Sequence, residues 1–154
     1  MAENKAQFSS PGTVLALDLG QKLVGAAVSD EMLITIRRLD PIKRSNWKQL
    51  LRDVTSLIQH FDAQTLVIGL PLRLDGSTGT AAESIRHIAT NFARSLQVPV
   101  YLQDERLTSL EARESLLSQG FKPGEIPALI DGEAAAVILR DFLNSGEERI
   151  LVSS

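Results

Sequence analysis

Val14-Leu15-Ala16-Leu17-Asp18-Leu19-Gly20 is the stretch on which the fold turns: four apolar residues, an acid, a leucine and a glycine. The apolar run reads as a short strand, and Gly20 supplies a turn into a second run, Val24 to Val28, so the two are expected to pair. Asp18 then lies at the end of a strand expected to be central, where an unpaired carboxylate is costly. Two local readings stand level: a turn residue bonded to the backbone beside Gly20, or a functional group with a distant partner.

Outward from there, Met32 to Leu39 is a third strand, and then the period changes. Trp47, Leu50, Leu51, Val54, Leu57, Ile58 and Phe61 fall on one helical face, with Ser45 as a suitable N-cap. Thr65 to Gly69 is a fourth strand, followed by a polar loop from Arg73 to Thr80. Ala82, Ile85, Ala89, Phe92 and Leu96 mark a second helix, and Val98 to Leu102 a fifth strand. Thr108 and Glu111 have capping-box spacing, which predicts a helix from just after Thr108 to near Gly120. From Asp131, the set Ala134, Ala135, Ile138, Leu139, Phe142 and Leu143 gives a last helix with a small-residue face able to lie close against a sheet. An antiparallel meander of three strands continued by parallel crossovers, with helices flanking the sheet, is an α/β domain. It is expected over residues 13–145, with a flexible tail at 1–12 and another at 146–154.

Length and composition agree with one domain: 154 residues, 44% hydrophobic and 23% charged. Apolar runs are broken too often for a membrane span, and Met1 to Gly12 lacks a signal-peptide pattern, so a cytoplasmic location and no membrane partner are expected. The absence of cysteine excludes a disulfide framework, a thiolate zinc site and a cysteine nucleophile. With 16 Lys+Arg against 19 Asp+Glu the net charge is −3, which argues against indiscriminate nucleic-acid binding. A nucleic-acid enzyme built on this chain needs local positive charge.

The acids are the chemical signal. Asp104 and Glu105 end the fifth apolar run as Asp18 ends the first, and in a parallel sheet neighbouring strands open their carboxyl ends onto one edge. Each acid has a plain alternative: Asp104 and Glu105 favour the helix N-terminus that follows, and Asp131 is an ordinary helix cap. Converging, the three carboxylates Asp18, Glu105 and Asp131 would repel one another unless a cation held them. Mg²⁺ or a similar hard ion prefers such oxygen ligands, and the chemistry that follows is phosphodiester hydrolysis. Gly76-Ser77-Thr78-Gly79, opening a helix, is a candidate phosphate cradle or a plain glycine-rich loop. Arg106 and Lys22 are read either as phosphate contacts or as salt-bridge partners of nearby acids. His60 and His87 lack a second histidine at ligand spacing and are assigned no metal.

Leu17-Asp18-Leu19-Gly20-Gln21-Lys22 with Gly25, Val67-Ile68-Gly69-Leu70-Pro71 with Asp75-Gly76-Ser77, Asp104-Glu105-Arg106-Leu107-Thr108 with Glu111-Ala112, and Asp131 with Ala134-Ala135 and Ile138-Leu139 stand in order along the chain. Together they closely resemble the bacterial Holliday-junction-resolvase-like family, over nearly everything from Val14 to Leu143. Its members are described as nucleases that mature the 5′ end of the 16S ribosomal RNA precursor. The resemblance implies an RNase H-like fold with a five-stranded mixed sheet, and a site of acidic ligands for Mg²⁺ or Mn²⁺. Carried over, Asp18 matches the first-strand acid, Glu105 the acid of the Asp-Glu-Arg motif, and Asp131 the acid opening the last helix. Asp104 is either a further metal ligand or the residue that orients Arg106. Lys22, Arg73, Ser77 and Arg106 are the expected substrate contacts. The family often has basic residues before the last acid, whereas Gly124 to Ile130 here has none, and Leu23 stands where a basic residue is frequent.

The expected partner is structured RNA, the ribosomal precursor foremost, with branched DNA as the alternative, acted on by a monomer or homodimer. A second reading is a non-catalytic nucleic-acid-binding factor of ribosome biogenesis. A third, an actin-like nucleotide-binding unit, draws on Asp18-Leu19-Gly20 and Gly25, but the chain is short for the paired domains that unit requires.

Overall fold

The computed structural model describes residues 12–73, 75–106, 108–145 and 149–153. The expected N-terminal tail lies outside these residues except for Gly12, whose N–H donates to the Glu31 carbonyl at 2.7 Å.

β1 (Thr13–Leu19) and β2 (Leu23–Ser29) pair antiparallel, with Asp18 opposite Gly25. β3 (Ile36–Arg38) and β4 (Ile42–Lys43) follow along the free side of β2. β5 (Ala63–Leu70) lies parallel to β1, and β6 (Val100–Asp104) parallel to β5. The sheet order is β3-β2-β1-β5-β6-β7, with β4 also on β2. The meander and the two parallel strands are thus as expected, but among the described residues the sheet has seven strands and not five. The two additions are two-residue strands: β4, and β7 (Ile150–Leu151), which lies in the segment read as a C-terminal tail and pairs antiparallel with β6.

The third strand is shorter than the apolar run that announced it. Asp30 Oδ1 accepts from the N–H groups of Ile34 and Thr35 at 2.7 and 3.1 Å, so the backbone there is tied into a turn instead of a ladder. Pro41, without an N–H, separates β3 from β4.

Helix α1 (Trp47–Phe61) is capped by Asn46, whose Oδ1 accepts from Gln49 N at 2.9 Å. Ser45 is therefore not the cap; it stands one residue too early for its side chain to reach the first exposed N–H groups. Helix α2 (Thr80–Ser95) buries Ala82, Ile85, Ala89 and Phe92, the face read from their spacing. Helix α3 (Thr108–Ser118) closes at Gly120, whose φ of 97° lets Phe121 N reach back to the Leu116 carbonyl. Helix α4 (Ile126–Asn144) starts five residues before Asp131. Pro127 fits the first turn, where its missing N–H costs nothing, and Glu125 Oε1 accepts from Lys122 N at 2.9 Å just upstream. Asp131 is thus inside the helix, not its cap.

The sheet carries a core on each face. Leu15, Leu17 and Leu19 of β1 join Leu66, Ile68 and Leu70 of β5 against α1 and α2. Val14 and Ala16 join Ala27, Val67 and Tyr101 against Ala135, Ile138, Leu139 and Phe142 of α4. By strand alternation Asp18 falls on the α4 face. No helix among the described residues is long and apolar enough to cross a membrane.

Candidate functional site

Two glycines let acids from distant parts of the chain meet at the carboxyl edge of the sheet. Gly25 stands beside Asp18 in the ladder, and the backbone carbonyl of Asp131 rests where a Cβ on Gly25 would be. That contact seats α4 directly on β2. Gly69, near the end of β5, does the same for the third acid: a Cβ there would lie 2.8 Å from Glu105 Oε2 and 2.5 Å from Ile138 Cδ1. Glu105 itself follows β6, its N–H donating to the Leu70 carbonyl at 3.1 Å.

Asp18, Glu105 and Asp131 are all half-buried. The Asp18 and Glu105 side chains are hydrogen-bonded to each other. Burial first, then the Asp18 charge, the shared hydrogen bond and the Asp104 charge push the Glu105 carboxyl up to about 9. Burial also raises Asp18, opposed by the hydrogen bond from Glu105 and reinforced by the charge of Asp131. The shared hydrogen bond raises Glu105 and lowers Asp18, so the protonated Glu105 is its donor and Asp18 its acceptor. Asp131 acts on Asp18 through its charge, while among the described residues no three Asp, Glu, His or Cys side chains are arranged to hold a metal ion as they stand. The donor set nevertheless fits a hard divalent cation: all oxygen, jointly anionic once Glu105 ionises, with a proton between Asp18 and Glu105 that a cation can replace.

Asp104 is tied to Arg106. Its carboxylate accepts from the Arg106 backbone N at 3.0 Å and from the Arg106 guanidinium at 2.8 Å. The guanidinium lies over Gly76, 3.1 Å from where its Cβ would be, and that of Arg73 lies equally close to Gly79. The loop between them is closed by Arg73 N to the Ser77 carbonyl at 3.0 Å and Ser77 N to Asp75 Oδ1 at 2.8 Å. Arg73, Ser77 and Arg106 are exposed and share this corner. Lys22 is exposed on the β1–β2 turn at the same sheet edge, held by Arg44, which donates from Nη1 to the Gly20 carbonyl at 2.8 Å and from its backbone N to the Lys22 carbonyl at 2.9 Å. His60 and His87 lie on α1 and α2, His60 against the Phe61 ring.

Sequence reasoning missed Asp141. With Gln103, Asp104, Glu105, Arg106, Thr108 and Glu111 it lines a cleft of about 340 Å³ beside the site. Burial and then the Glu111 charge raise its carboxyl. An acid directly before the buried Phe142, in the mostly apolar second half of the helix, was the available signal.

A mixed sheet with α4 across one face and acids at its carboxyl edge defines an RNase H-like α/β protein. The structure is similar to the fowlpox virus Holliday junction resolvase (TM-score 0.55, 15% identity, 86% of this chain and 99% of that one). It is also similar to Thermus thermophilus RuvC (TM-score 0.54, 14% identity, 90% and 99%). At those identities the likeness is one of fold. The sequence model described as RuvX, Holliday junction resolvase, matches residues 12–145, and the chain belongs to that family. A relative from Anaeromyxobacter sp. (strain Fw109-5), named "Putative pre-16S rRNA nuclease", is 40% identical over 84% of this chain and 95% of its own length. One of the same name from Syntrophus aciditrophicus (strain SB) is 36% identical over 89% and 92%.

Proposed function

We propose that the protein is a divalent-metal-dependent nuclease that hydrolyses phosphodiester bonds in structured RNA in the cytoplasm, its substrate the 5′ end of the 16S ribosomal RNA precursor. The observation that carries this reading is the direct contact of Asp18 with Glu105, within reach of the charge of Asp131, at an open sheet edge. Names borne by the relatives at 40% and 36% identity support the substrate class.

Asp18, Glu105 and Asp131 would hold Mg²⁺ or Mn²⁺, which when bound lowers the pKa of an attacking water and stabilises the leaving oxygen. Glu105 must first give up its proton, so the pair is a carboxylic acid and a carboxylate before metal binds and two carboxylates after. Arg106 is held in place by Asp104 to meet a phosphate, with Arg73, Ser77 and Lys22 as further backbone contacts. Charge at these few positions offsets the net −3 of the chain.

The test is cleavage of end-labelled 16S precursor RNA and of a four-way DNA junction by purified protein with Mg²⁺, Mn²⁺ or chelator. Metal-dependent products from RNA that Asp18→Asn abolishes are expected. Cleavage of the junction alone moves the substrate to branched DNA. Salt-sensitive binding without products under any metal supports the non-catalytic reading, which the lack of basic residues over Gly124 to Ile130 keeps open.

A further inference from the structure

Helix α4 reaches the site on small contacts. The Asp131 carbonyl rests on Gly25, and Gly132 approaches the Leu39 carbonyl so closely that a Cβ would sit 3.3 Å from it. Ala134 and Ala135 follow on the buried side. Packing of this kind sets how near the helix lies, but small side chains interlock weakly and leave its rotation poorly specified.

One residue in that turn is different. Glu133 is a carboxylate only 5% exposed. Its Oε1 accepts from Arg38 Nη1 at 2.9 Å, and its Oε2 from Ser115 Oγ at 2.5 Å and Gln119 Nε2 at 3.1 Å. Gln119 also donates to Ser115 Oγ at 3.0 Å, and the Arg38 guanidinium lies over the Phe121 ring, 5.4 Å from its centroid. A single side chain thus fastens α4 to β3 and α3. A buried ion pair adds little net stability over an apolar pair of the same size, because desolvation offsets the attraction; its best-attested use is to specify one geometry. Residues two apart on a helix point to nearly opposite sides, so fastening Glu133 on one side fixes where Asp131 points on the other.

We infer that Glu133, held by Arg38, Ser115 and Gln119, is a positioning residue that sets the rotation of α4 and so keeps the Asp131 carboxylate turned toward Asp18 and Glu105. The inference rests on the metal-dependent reading above. It predicts that loosening Glu133 weakens metal binding by more than any loss of stability accounts for.

The experiment is Mn²⁺ titration by calorimetry on the metal-free full chain, with melting temperatures recorded in parallel. The variants are Asp18→Asn, Glu133→Gln, Ser115→Ala and the double change Arg38→Met with Glu133→Met. Glu133→Gln is expected to raise the Mn²⁺ Kd about tenfold or more, as loss of groups that orient metal ligands does. Ser115→Ala, which removes one hydrogen bond and leaves the ion pair, should shift it less in the same direction. The double variant decides the matter if Glu133→Gln folds poorly: it should recover the melting temperature while Mn²⁺ binding stays weak. Affinity that returns with the melting temperature, or that is unchanged in all three, overturns the inference and leaves the metal site standing. Mn²⁺ binding indifferent to Asp18→Asn overturns the metal-dependent reading, and the inference with it.

Discussion

The two faces of β1 are built from one run of residues and do different work. Leu15, Leu17 and Leu19 face α1 and α2 and are buried in a core of large side chains. Val14, Ala16 and Asp18 face α4, where the partners are Ala27, Gly25 and, one strand over, Val67 and Gly69. Large residues on the first face hold the helices at ordinary distance. Small ones on the second let a helix backbone and a glutamate come down onto the strands, and this proximity, more than any single acid, makes the site. Changes on the first face are therefore expected to fall on stability alone, and changes on the second to fall on the site.

The largest expected effect tests the chemistry of the α4 face. Asp18→Asn or Glu105→Gln should lower metal-dependent cleavage on the order of 10³-fold or more, because ligands that act as a unit fail together. Neither should lower the melting temperature by much, since the amide is nearly the size of the carboxyl it replaces and still offers a hydrogen-bonding group to the half-buried partner. Single-turnover assays beside thermal melts check both halves. A variant that loses stability and keeps activity breaks the division between the faces.

Gly25→Ala sharpens the division by changing only size. The added methyl meets the Asp131 backbone carbonyl, which cannot rotate away as a side chain can. Overpacking of this sort costs about 1–3 kcal/mol. A displacement of Asp131 near 1 Å should also reduce cleavage about 10²-fold. On the opposite face, Leu17→Ala should cost about 2–5 kcal/mol in denaturant unfolding, with Mn²⁺ affinity of the folded protein unchanged. Equal loss of metal binding in the two variants would show that the faces are not separable.

How much of this was legible in the sequence follows from the same contrast. The apolar alternation of β1 and the helical spacing of α1 and α2 are local, and the sequence carries them openly. So are the three acids at strand ends and before the apolar part of α4. What needs tertiary context stayed hidden. Two-residue strands such as β4 and β7 exist only because a neighbouring edge accepts them. The start of α4 was masked by Pro127, which reads as a breaker but fits a first turn. The hydrogen bond between Asp18 and Glu105 joins residues far apart in the chain, and the seating of Asp131 depends on a glycine over a hundred positions away. Arg38 and Glu133, one on an edge strand and one inside a helix, gave no sign in sequence that they meet.

The smallest expected effect is the pH dependence of stability, and it separates the faces without touching packing. Glu105 is raised from 4.5 to about 9 in the folded protein, so between those values the native state binds more protons than the unfolded one. Its contribution to stability is fully present below about 4.5 and is lost as pH rises through about 9. The raised Asp18 adds to the same trend at its lower end. Metal-free protein should therefore melt at progressively lower temperature from pH 5 to pH 9, by a few degrees at most because solvent reaches the half-buried carboxyls and screens them. Glu105→Gln should flatten that slope, while Leu17→Ala should lower the whole curve and keep its shape. Saturating Mg²⁺ should remove the slope in the parent protein too, since the cation takes the place of the proton, and its apparent affinity should rise with pH as Glu105 ionises. A slope that survives both Glu105→Gln and Mg²⁺ would place the titrating group elsewhere than on the α4 face.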